Sequence, residues 1–212
     1  MTDIQAVIFD AFGTIVQIQI ARHPYRKILK HGKAQGRCGG AKDVEAIMSN
    51  PLDLKQAAAY FGITVEPTHM AEITSDLNDE LASITAFKDA KACIATLKSE
   101  GIKVGVCSNL AMPYGAIVRR IFPDLDAYGF SYAENAMKPD PRIYQAVLTE
   151  FDVDASSTWM IGDSQRCDRD GPRALGIRGH YLRRNGLLES GDFAELTAFA
   201  EAVLSFKKSY QR

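Results

Sequence analysis

The 212-residue chain is 46% hydrophobic and 24% charged, as expected of a globular protein with one sizeable domain or a core with a small insert. A net charge of -1 argues against binding of nucleic acid or membrane surfaces through bulk charge. No apolar run approaches the ~20 residues of a membrane span, and the first residues lack the pattern of a secretory signal peptide. The four cysteines are widely spaced, so we expect free thiols and a cytoplasmic protein.

Short apolar segments alternate along the chain with amphipathic ones. The apolar segments predict buried strands at residues 6–9, 104–107, 158–161 and 180–182. The amphipathic segments predict helices at residues 89–100, 141–151, 172–176 and 193–206. This alternation predicts an α/β fold in which a parallel sheet is covered by helices on both faces.

Residues 16–85 break this alternation because they contain no convincing strand. Helices are predicted instead at residues 24–31, 43–49, 52–61 and 67–81. We therefore predict a core of residues 1–15 and 86–212, with an all-helical cap of residues 16–85 inserted after the first strand.

The first part of this predicted cap has a one-sided charge pattern. Its basic residues, with no acid among them, are Arg22, Arg26, Lys27, Lys30, Lys33, Arg37 and Lys42. The run is typical of a solvated helix face followed by a flexible glycine-rich loop. The alternative is a rim that attracts anionic substrates by its charge.

Polar residues follow the predicted strands at the points where they end. They are Asp10 after the first strand, Ser108 and Asn109 after the second, and Asp163 and Asp168 after the third, while Lys138 precedes the helix at 141. Because the carboxyl ends of parallel strands meet at one edge of a sheet, we expect these side chains to lie together.

These residue types suit the hydrolysis of an anionic substrate. A carboxylate such as Asp10 can act as a covalent nucleophile, and a serine hydroxyl and a lysine ammonium can hold an anion for attack. Two further carboxylates would favour protonation of the nucleophile, which would weaken it. A hard divalent cation removes this conflict, so Asp10, Asp163 and Asp168 predict a Mg²⁺ site.

In this order and spacing the motifs resemble those of the haloacid dehalogenase (HAD) superfamily of hydrolases. The matching stretches are residues 7–14, 107–109, 138–139 and 162–168, and the resemblance covers nearly the whole chain. It implies a Rossmann-like three-layer core with a helical cap. It also implies that Asp10 is the nucleophile and that Ser108 and Lys138 bind the anion.

The resemblance further implies the remaining ligands of the site. Asp163 and Asp168 would be the magnesium carboxylates, and the backbone carbonyl of Phe12 would be another metal ligand. Phe12, Thr14 and Asn109 are expected to contact the substrate, a small anionic molecule. The resemblance leaves open which of the two later aspartates touches the metal, and the sequence gives no oligomeric state.

At position 12 the family's phosphatases usually carry a second Asp, which protonates the leaving group. This chain has Phe12 at that position. The dehalogenase branch needs no such acid, since halide leaves unprotonated, and it places a Lys and a Tyr at the spacing of Lys138 and Tyr144. Asp163 opposes that reading, because metal-free dehalogenases carry a small neutral residue there.

We therefore expect a Mg²⁺-dependent phosphatase, with 2-haloacid dehalogenation and a low-activity binding protein as the alternatives. The cap arginine of the dehalogenases has no clear match, although Arg22, Arg26 and Arg37 are available. Tyr144 is expected to be a packed helix residue rather than a substrate contact.

Overall fold

The computed structural model of the protein describes residues 3–187 and 189–210. In chain order its strands are β1 (Ala6–Phe9), β2 (Val16–Ile18), β3 (Ile84–Ala86), β4 (Lys103–Ser108), β5 (Ala127–Phe130), β6 (Thr158–Gly162) and β7 (Arg178–Tyr181). Its α-helices are α1 (Pro24–Ala34), α2 (Ala41–Ser49), α3 (Leu54–Tyr60), α4 (Pro67–Ala82), α5 (Lys88–Ser99), α6 (Met112–Ile121), α7 (Ser131–Glu134), α8 (Pro141–Phe151), α9 (Gly171–Arg173) and α10 (Leu196–Tyr210). In these ranges no helix is both long and apolar enough to cross a membrane.

The predicted α/β fold is confirmed. Five strands form a parallel sheet in the order β5-β4-β1-β6-β7, so β1 is central. Phe9, the last residue of β1, is in register with Val106 of β4 and Ile161 of β6. The carboxyl ends of β1, β4 and β6 therefore meet. Asp10, which follows β1, lies between the ends of β4 and β6.

β1 is buried on both faces because helices cover the sheet from both sides. Val7 and Phe9 belong to a core formed with α5, α6 and α10, whereas Ala6 and Ile8 face a core formed with α8. Successive side chains of a strand point to opposite faces, which explains why a four-residue apolar run is needed here. The result is a three-layer core with a rigid central strand beneath the nucleophile candidate.

Three elements of this core were not predicted, and one lies at other residues than expected. β5, α6 and α7 were not predicted. Ala127–Phe130 and Ser131–Glu134 are only four residues long, too short for a recognisable pattern, whereas the amphipathic pattern of Met112–Ile121 was overlooked. The helix expected at 172–176 is a short helix at Gly171–Arg173, preceded by a π-helical turn over Gln165–Asp170. That turn carries Asp168 towards the sheet edge.

The prediction of an all-helical cap without strands between the first strand and Asp89 was wrong. β2 and β3 pair antiparallel, with Val16 opposite Ala86 and Ile18 opposite Ile84. Each strand is only three residues long, too short for an alternating pattern to be recognised. The two strands form the base of the segment, and we retain 16–85 as the proposed cap.

The cap helices have a hydrophobic core of their own. It is formed mainly by Ile28 of α1, Ile47 of α2, Ala57 and Ala58 of α3, and Ile73 and Leu77 of α4. Ala111, which precedes α6 of the main core, is packed into the same cluster. This contact fixes the cap over the carboxyl edge of the sheet.

His180 of β7 is enclosed by aromatic rings, which gives a testable dependence of stability on pH. Its ring lies 4.6 Å from Trp159 and 5.7 Å from Phe199, and its Nε2 has no hydrogen-bond partner among the described residues. Burial, followed by the positive charges of Arg173 and Arg178, lowers the pKa of His180 to about 4 from 6.5. Between pH 4 and 6.5 the unfolded chain therefore binds a proton at His180 more readily than the folded protein does.

We expect the histidine to destabilise the fold as the pH falls from about 6.5 to 4, by about 3 kcal/mol at most, with no contribution above that window. The check is urea unfolding of the wild type and His180→Phe across pH 4–8. Their difference isolates the histidine from other groups that titrate in the same range. If the free energies of unfolding of the two proteins changed in parallel with pH, His180 would not be the cause of the loss at low pH.

Candidate active site

Asp10 lies at the end of β1 and accepts hydrogen bonds from three side chains. Ser108 Oγ donates to Asp10 Oδ1 at 3.0 Å, and Lys138 Nζ donates to the same oxygen at 2.7 Å. Thr14 Oγ1 donates to Oδ2 at the longer distance of 3.4 Å. Oδ1 is therefore well occupied, and Oδ2 is the oxygen more available for attack on a substrate.

Lys138 lies between two carboxylates. Its Nζ is 2.7 Å from Asp10 Oδ1 and 2.6 Å from Asp168 Oδ1. Burial by itself lowers the pKa of Lys138, but the charges of Asp10 and Asp168 outweigh this effect and raise the pKa well above its usual value. The lysine thus remains a cation and offsets part of the negative charge of the site.

Two glycines give the later aspartates room to reach the nucleophile. Gly13 has φ +82°, and a Cβ there would lie 2.0 Å from Asp163 Oδ2. A Cβ on Gly162 would lie 2.4 Å from the Asp168 carboxyl carbon and 2.7 Å from Asp10 Cβ. Any side chain at these positions would displace the carboxylates, which explains glycine in both motifs.

Asp10, Asp163 and Asp168 form a cluster in which one oxygen of each lies within 4.8 Å of the others. Asp163 is exposed as a residue, but its carboxyl lies against Gly13. Desolvation of this carboxyl, together with the charges of Asp10 and Asp168, raises the pKa of Asp163 to about 6. Burial likewise raises the pKa of Asp168, although Lys138 opposes the effect. A single ammonium does not balance three carboxylates, and hard oxygen donors at this spacing fit Mg²⁺.

Asn109 and Thr14, the two expected minor substrate contacts, are both engaged in hydrogen bonds within the protein, and Asn109 also lines the pocket at Asp10. Asn109 does not point its amide to an anion: Nδ2 donates to the Lys138 carbonyl at 3.0 Å, and Oδ1 accepts from the Lys138 N–H at 2.7 Å. Thr14 is fully buried behind Asp10. Asn109 therefore holds the Lys138 backbone in place, and Thr14 contacts the Asp10 carboxylate.

Phe12 lies at the boundary between the nucleophile and the cap. Its ring meets Tyr114 of α6 edge to face, with centroids 5.8 Å apart. The Tyr114 hydroxyl donates to the buried carboxylate of Glu80 on α4 at 2.5 Å. Glu80 also accepts hydrogen bonds from the backbone N–H groups of Arg22 and His23, so this network links cap and core.

Two adjoining cavities open at this boundary. A pocket of about 190 Å³ is lined by all the predicted site residues except Thr14, together with Ser164 and Cys167. A second cavity of about 370 Å³ lies under the cap, and Phe12 and Asn109 line both. The larger cavity was not predicted, since no motif marks residues that converge from four different helices.

The basic run of the cap is partly neutralised. Lys27 pairs with Asp76, Arg22 lies 3.9 Å from Asp79, and Arg37 makes two 2.7 Å hydrogen bonds to Asp43. Arg26 has no ion pair within the described part of the chain and lies at the rim of the larger cavity. Lys30, Lys33 and Lys42 are likewise exposed and without an ion pair among the described residues, but of the unpaired basic residues of the run it is Arg26 that lines the larger cavity.

Arg184, which the sequence did not single out, supports the turn that follows the nucleophile. Its guanidinium donates to the carbonyl oxygens of Thr14 at 2.7 Å and Gly13 at 3.3 Å. Asp89 holds the same guanidinium with two hydrogen bonds of 3.0 and 3.1 Å. No sequence signal could reveal this contact, because the acceptors are backbone atoms 170 and 171 positions away.

Tyr144 is packed, as the sequence analysis expected. It is fully buried in α8, and its hydroxyl donates to the Cys167 carbonyl at 2.6 Å. Tyr144 is also not among the residues that line the pocket at Asp10. All four cysteines are free thiols, again as expected.

Comparison with known proteins agrees with the motif series. A family model described as haloacid dehalogenase-like hydrolase matches residues 4–176. The chain is 24% identical to (S)-2-haloacid dehalogenase 1 of Pseudomonas sp. (strain CBS-3), over 92% of this chain and 91% of that protein. It is 28% identical to phosphatase MT3486 of Mycobacterium tuberculosis, over 57% of each.

Solved structures with the same fold also include both kinds of enzyme. A HAD phosphatase from Thermococcus onnurineus has a TM-score of 0.66 at 17% identity, over 94% of this chain and 98% of that one. L-2-haloacid dehalogenase from Xanthobacter autotrophicus has a TM-score of 0.64 at 18% identity, over 95% and 98%. These similarities establish the fold and leave the choice of reaction to the site.

Proposed function

The chain belongs to the haloacid dehalogenase-like hydrolases, and on that premise we propose that it is a magnesium-dependent phosphatase with Asp10 as covalent nucleophile. The observation that carries this proposal is Asp163, whose carboxylate completes a cluster with Asp10 and Asp168. A metal-free dehalogenase would gain nothing from this third carboxylate and would be penalised by its repulsion of the nucleophile.

In this proposal each residue of the site has a separate task. Ser108 and Lys138 hold the phosphoryl oxygens beside Asp10. Asp10 Oδ2 attacks phosphorus, the bond to the leaving oxygen breaks with its electron pair, and water then hydrolyses the aspartyl phosphate to restore the carboxylate. Magnesium, when held by Asp10, Asp163, Asp168 and the Phe12 carbonyl, would supply neutralisation of phosphoryl charge.

Phe12 restricts the leaving group. General acid catalysis is worth about 10²–10⁴-fold in rate, and a phenyl ring cannot supply it. We therefore propose that the substrate has a leaving group that is stable as an anion, such as a phenolate or a carboxylate.

Phe12 is also the observation that favours the second candidate, dehalogenation of a 2-haloacid, because halide needs no proton. The similarity to a haloacid dehalogenase along the full chain points the same way. Against it, the Tyr144 hydroxyl is already bonded to the Cys167 carbonyl. Arg37, one of the candidate cap arginines, is likewise paired with Asp43.

A substrate panel with and without metal separates the two reactions. We expect turnover of p-nitrophenyl phosphate and acetyl phosphate with Mg²⁺, loss of turnover with a chelator, and recovery when Mg²⁺ is restored. Alkyl phosphates should be slower by about 10²-fold or more, since their leaving group needs a proton. Chelator-resistant chloride release from 2-chloropropionate, without phosphate release from the esters, would replace the phosphatase by the dehalogenase.

Matched asparagine variants test the metal carboxylate in the same assay. Asp163→Asn should raise the Mg²⁺ concentration needed for half-maximal rate, whereas Asp170→Asn should leave it unchanged, because Asp170 is exposed and pairs with Arg169.

Arg184 provides a test of nucleophile positioning. Arg184→Met keeps much of the apolar stem but removes every hydrogen bond to the turn, so we expect kcat to fall about tenfold and the free energy of unfolding by about 1–3 kcal/mol. Arg183→Met is the control, because the adjacent Arg183 pairs with Asp192 and Glu189 rather than with this turn. The measurements are p-nitrophenol release and urea unfolding, and equal losses in the two variants would rule out a specific role for Arg184.

A further inference from the structure

We propose that the cavity under the cap binds an aromatic group on the leaving side of the substrate, which makes aryl and aroyl phosphates the substrate class. The inference rests on the phosphatase proposed above and goes beyond it by assigning the leaving-group site and its chemistry.

The cavity adjoins the pocket around Asp10. Phe12 and Asn109 line both the pocket of about 190 Å³ around Asp10 and the cavity of about 370 Å³ under the cap. A phosphoryl group held between Ser108 and Lys138 therefore has its leaving oxygen directed past Phe12. The group attached to that oxygen enters the larger cavity.

Most of the cavity wall is apolar. Tyr25, Leu29, Ile47 and Leu110 contribute to it. At its mouth Ile18 and Val44 are 36% and 47% exposed, so apolar surface faces the solvent there. An apolar concave site of this volume lies in the range of small-molecule sites, and burying its wall against a ligand is favourable.

The polar groups of the inner wall, the buried Glu80 and the half-buried Asn109, are already bonded within the protein, whereas His23 and Arg26 are exposed at the rim. The Glu80 carboxylate accepts from the Tyr114 hydroxyl and from the backbone N–H of His23. Asn109 is bonded at both ends of its amide to Lys138. A hydroxyl-rich group such as a sugar would leave its own polar atoms unpaired here, which costs binding free energy.

The Phe12–Tyr114 pair favours an aromatic occupant over an aliphatic one. The two rings meet edge to face and present aromatic surface at the junction of the two cavities. Aromatic groups gain from such contacts beyond the area they bury. The same Phe12 lacks a proton to donate, so a phenolate or an aromatic carboxylate suits both the shape and the chemistry.

Two acyl phosphates test the assignment with the leaving chemistry held constant. Acetyl phosphate and benzoyl phosphate both release a carboxylate that needs no proton, and they differ in the apolar ring. We expect the wild type with Mg²⁺ to show a KM at least tenfold lower for benzoyl phosphate.

Matched variants locate the effect in the cavity. Val44→Trp places a bulky ring at the mouth, and the KM ratio of acetyl to benzoyl phosphate should fall at least threefold. Ala71→Trp adds the same side chain at an exposed position of α4 away from the cavity, and its ratio should equal that of the wild type. Equal ratios in all three proteins would overturn the assignment.

Binding of two phosphonates separates this inference from the proposed reaction, since their carbon–phosphorus bond is not hydrolysed. By calorimetry with Mg²⁺ we expect benzylphosphonate to bind at least tenfold more tightly than ethylphosphonate. This preference without turnover of either acyl phosphate would support the cavity and refute the phosphatase. Turnover of both acyl phosphates with equal KM, together with equal phosphonate affinity, would refute the cavity and leave the phosphatase standing.

Discussion

Asp10→Asn is expected to abolish turnover, with kcat lower by about 10³-fold or more. The carboxamide keeps the size of the side chain but is neutral and a poor nucleophile. Its carbonyl oxygen can accept from Ser108 and Lys138 in place of Oδ1, which leaves the NH₂ group, with no lone pair free for attack, at the position of Oδ2. The measurement is the initial rate of p-nitrophenol release from p-nitrophenyl phosphate at saturating Mg²⁺.

The fold should survive this substitution because Asp168 remains as a partner of Lys138. Circular dichroism and urea unfolding check this point. Asp170→Asn, an equivalent change at an exposed aspartate, should keep the wild-type rate. Substantial turnover by Asp10→Asn would exclude the covalent aspartate mechanism.

Lys138→Met is expected to damage both stability and activity. Lys138 is the ammonium that bonds Asp10 and Asp168, and all three side chains are buried. Removing one partner of a buried ion pair costs about 3–5 kcal/mol, because charge is left without compensation. The loss of an anion-binding cation should also lower kcat/KM by about 10²–10³-fold.

The stability loss should depend on pH with a defined sign. Without the ammonium the buried carboxylates repel each other, and protonation of one relieves this repulsion, so the loss should be larger at pH 8 than at pH 5. Urea unfolding at both values measures it. Lys55→Met on the exposed side of α3 is the control and should change little. A loss that is equal at both pH values would show that packing, rather than charge, explains the role of Lys138.

Much of the site could be predicted because its residues follow strand ends. Asp10, Ser108 and Asp163 come directly after buried strands, and parallel strands bring their carboxyl ends to one edge. The register of β1 with β4 and β6 then places these residues side by side. The acidic cluster and the Lys138 contact follow from the same geometry.

Other parts could not be predicted because their patterns are short or their partners are distant in sequence. β2 and β3 have three residues each, too few for an alternating pattern to be recognised. The roles of Asn109 and Arg184 depend on hydrogen bonds to backbone atoms, which any residue type supplies. The bonds of Asn109 to the Lys138 backbone and the contact of Arg184 therefore emerged only from the structure.

The sequence by itself determined the α/β class, the family and the set of residues around Asp10, because local hydrophobic runs and strand-end motifs encode them. Only the tertiary structure decided what surrounds Phe12. The cavity arises where α1, α2, α4 and α6 converge, and the Glu80–Tyr114 hydrogen bond joins cap and core across 34 positions of the chain. Such long-range packing depends on which helix faces meet, and no local pattern specifies that.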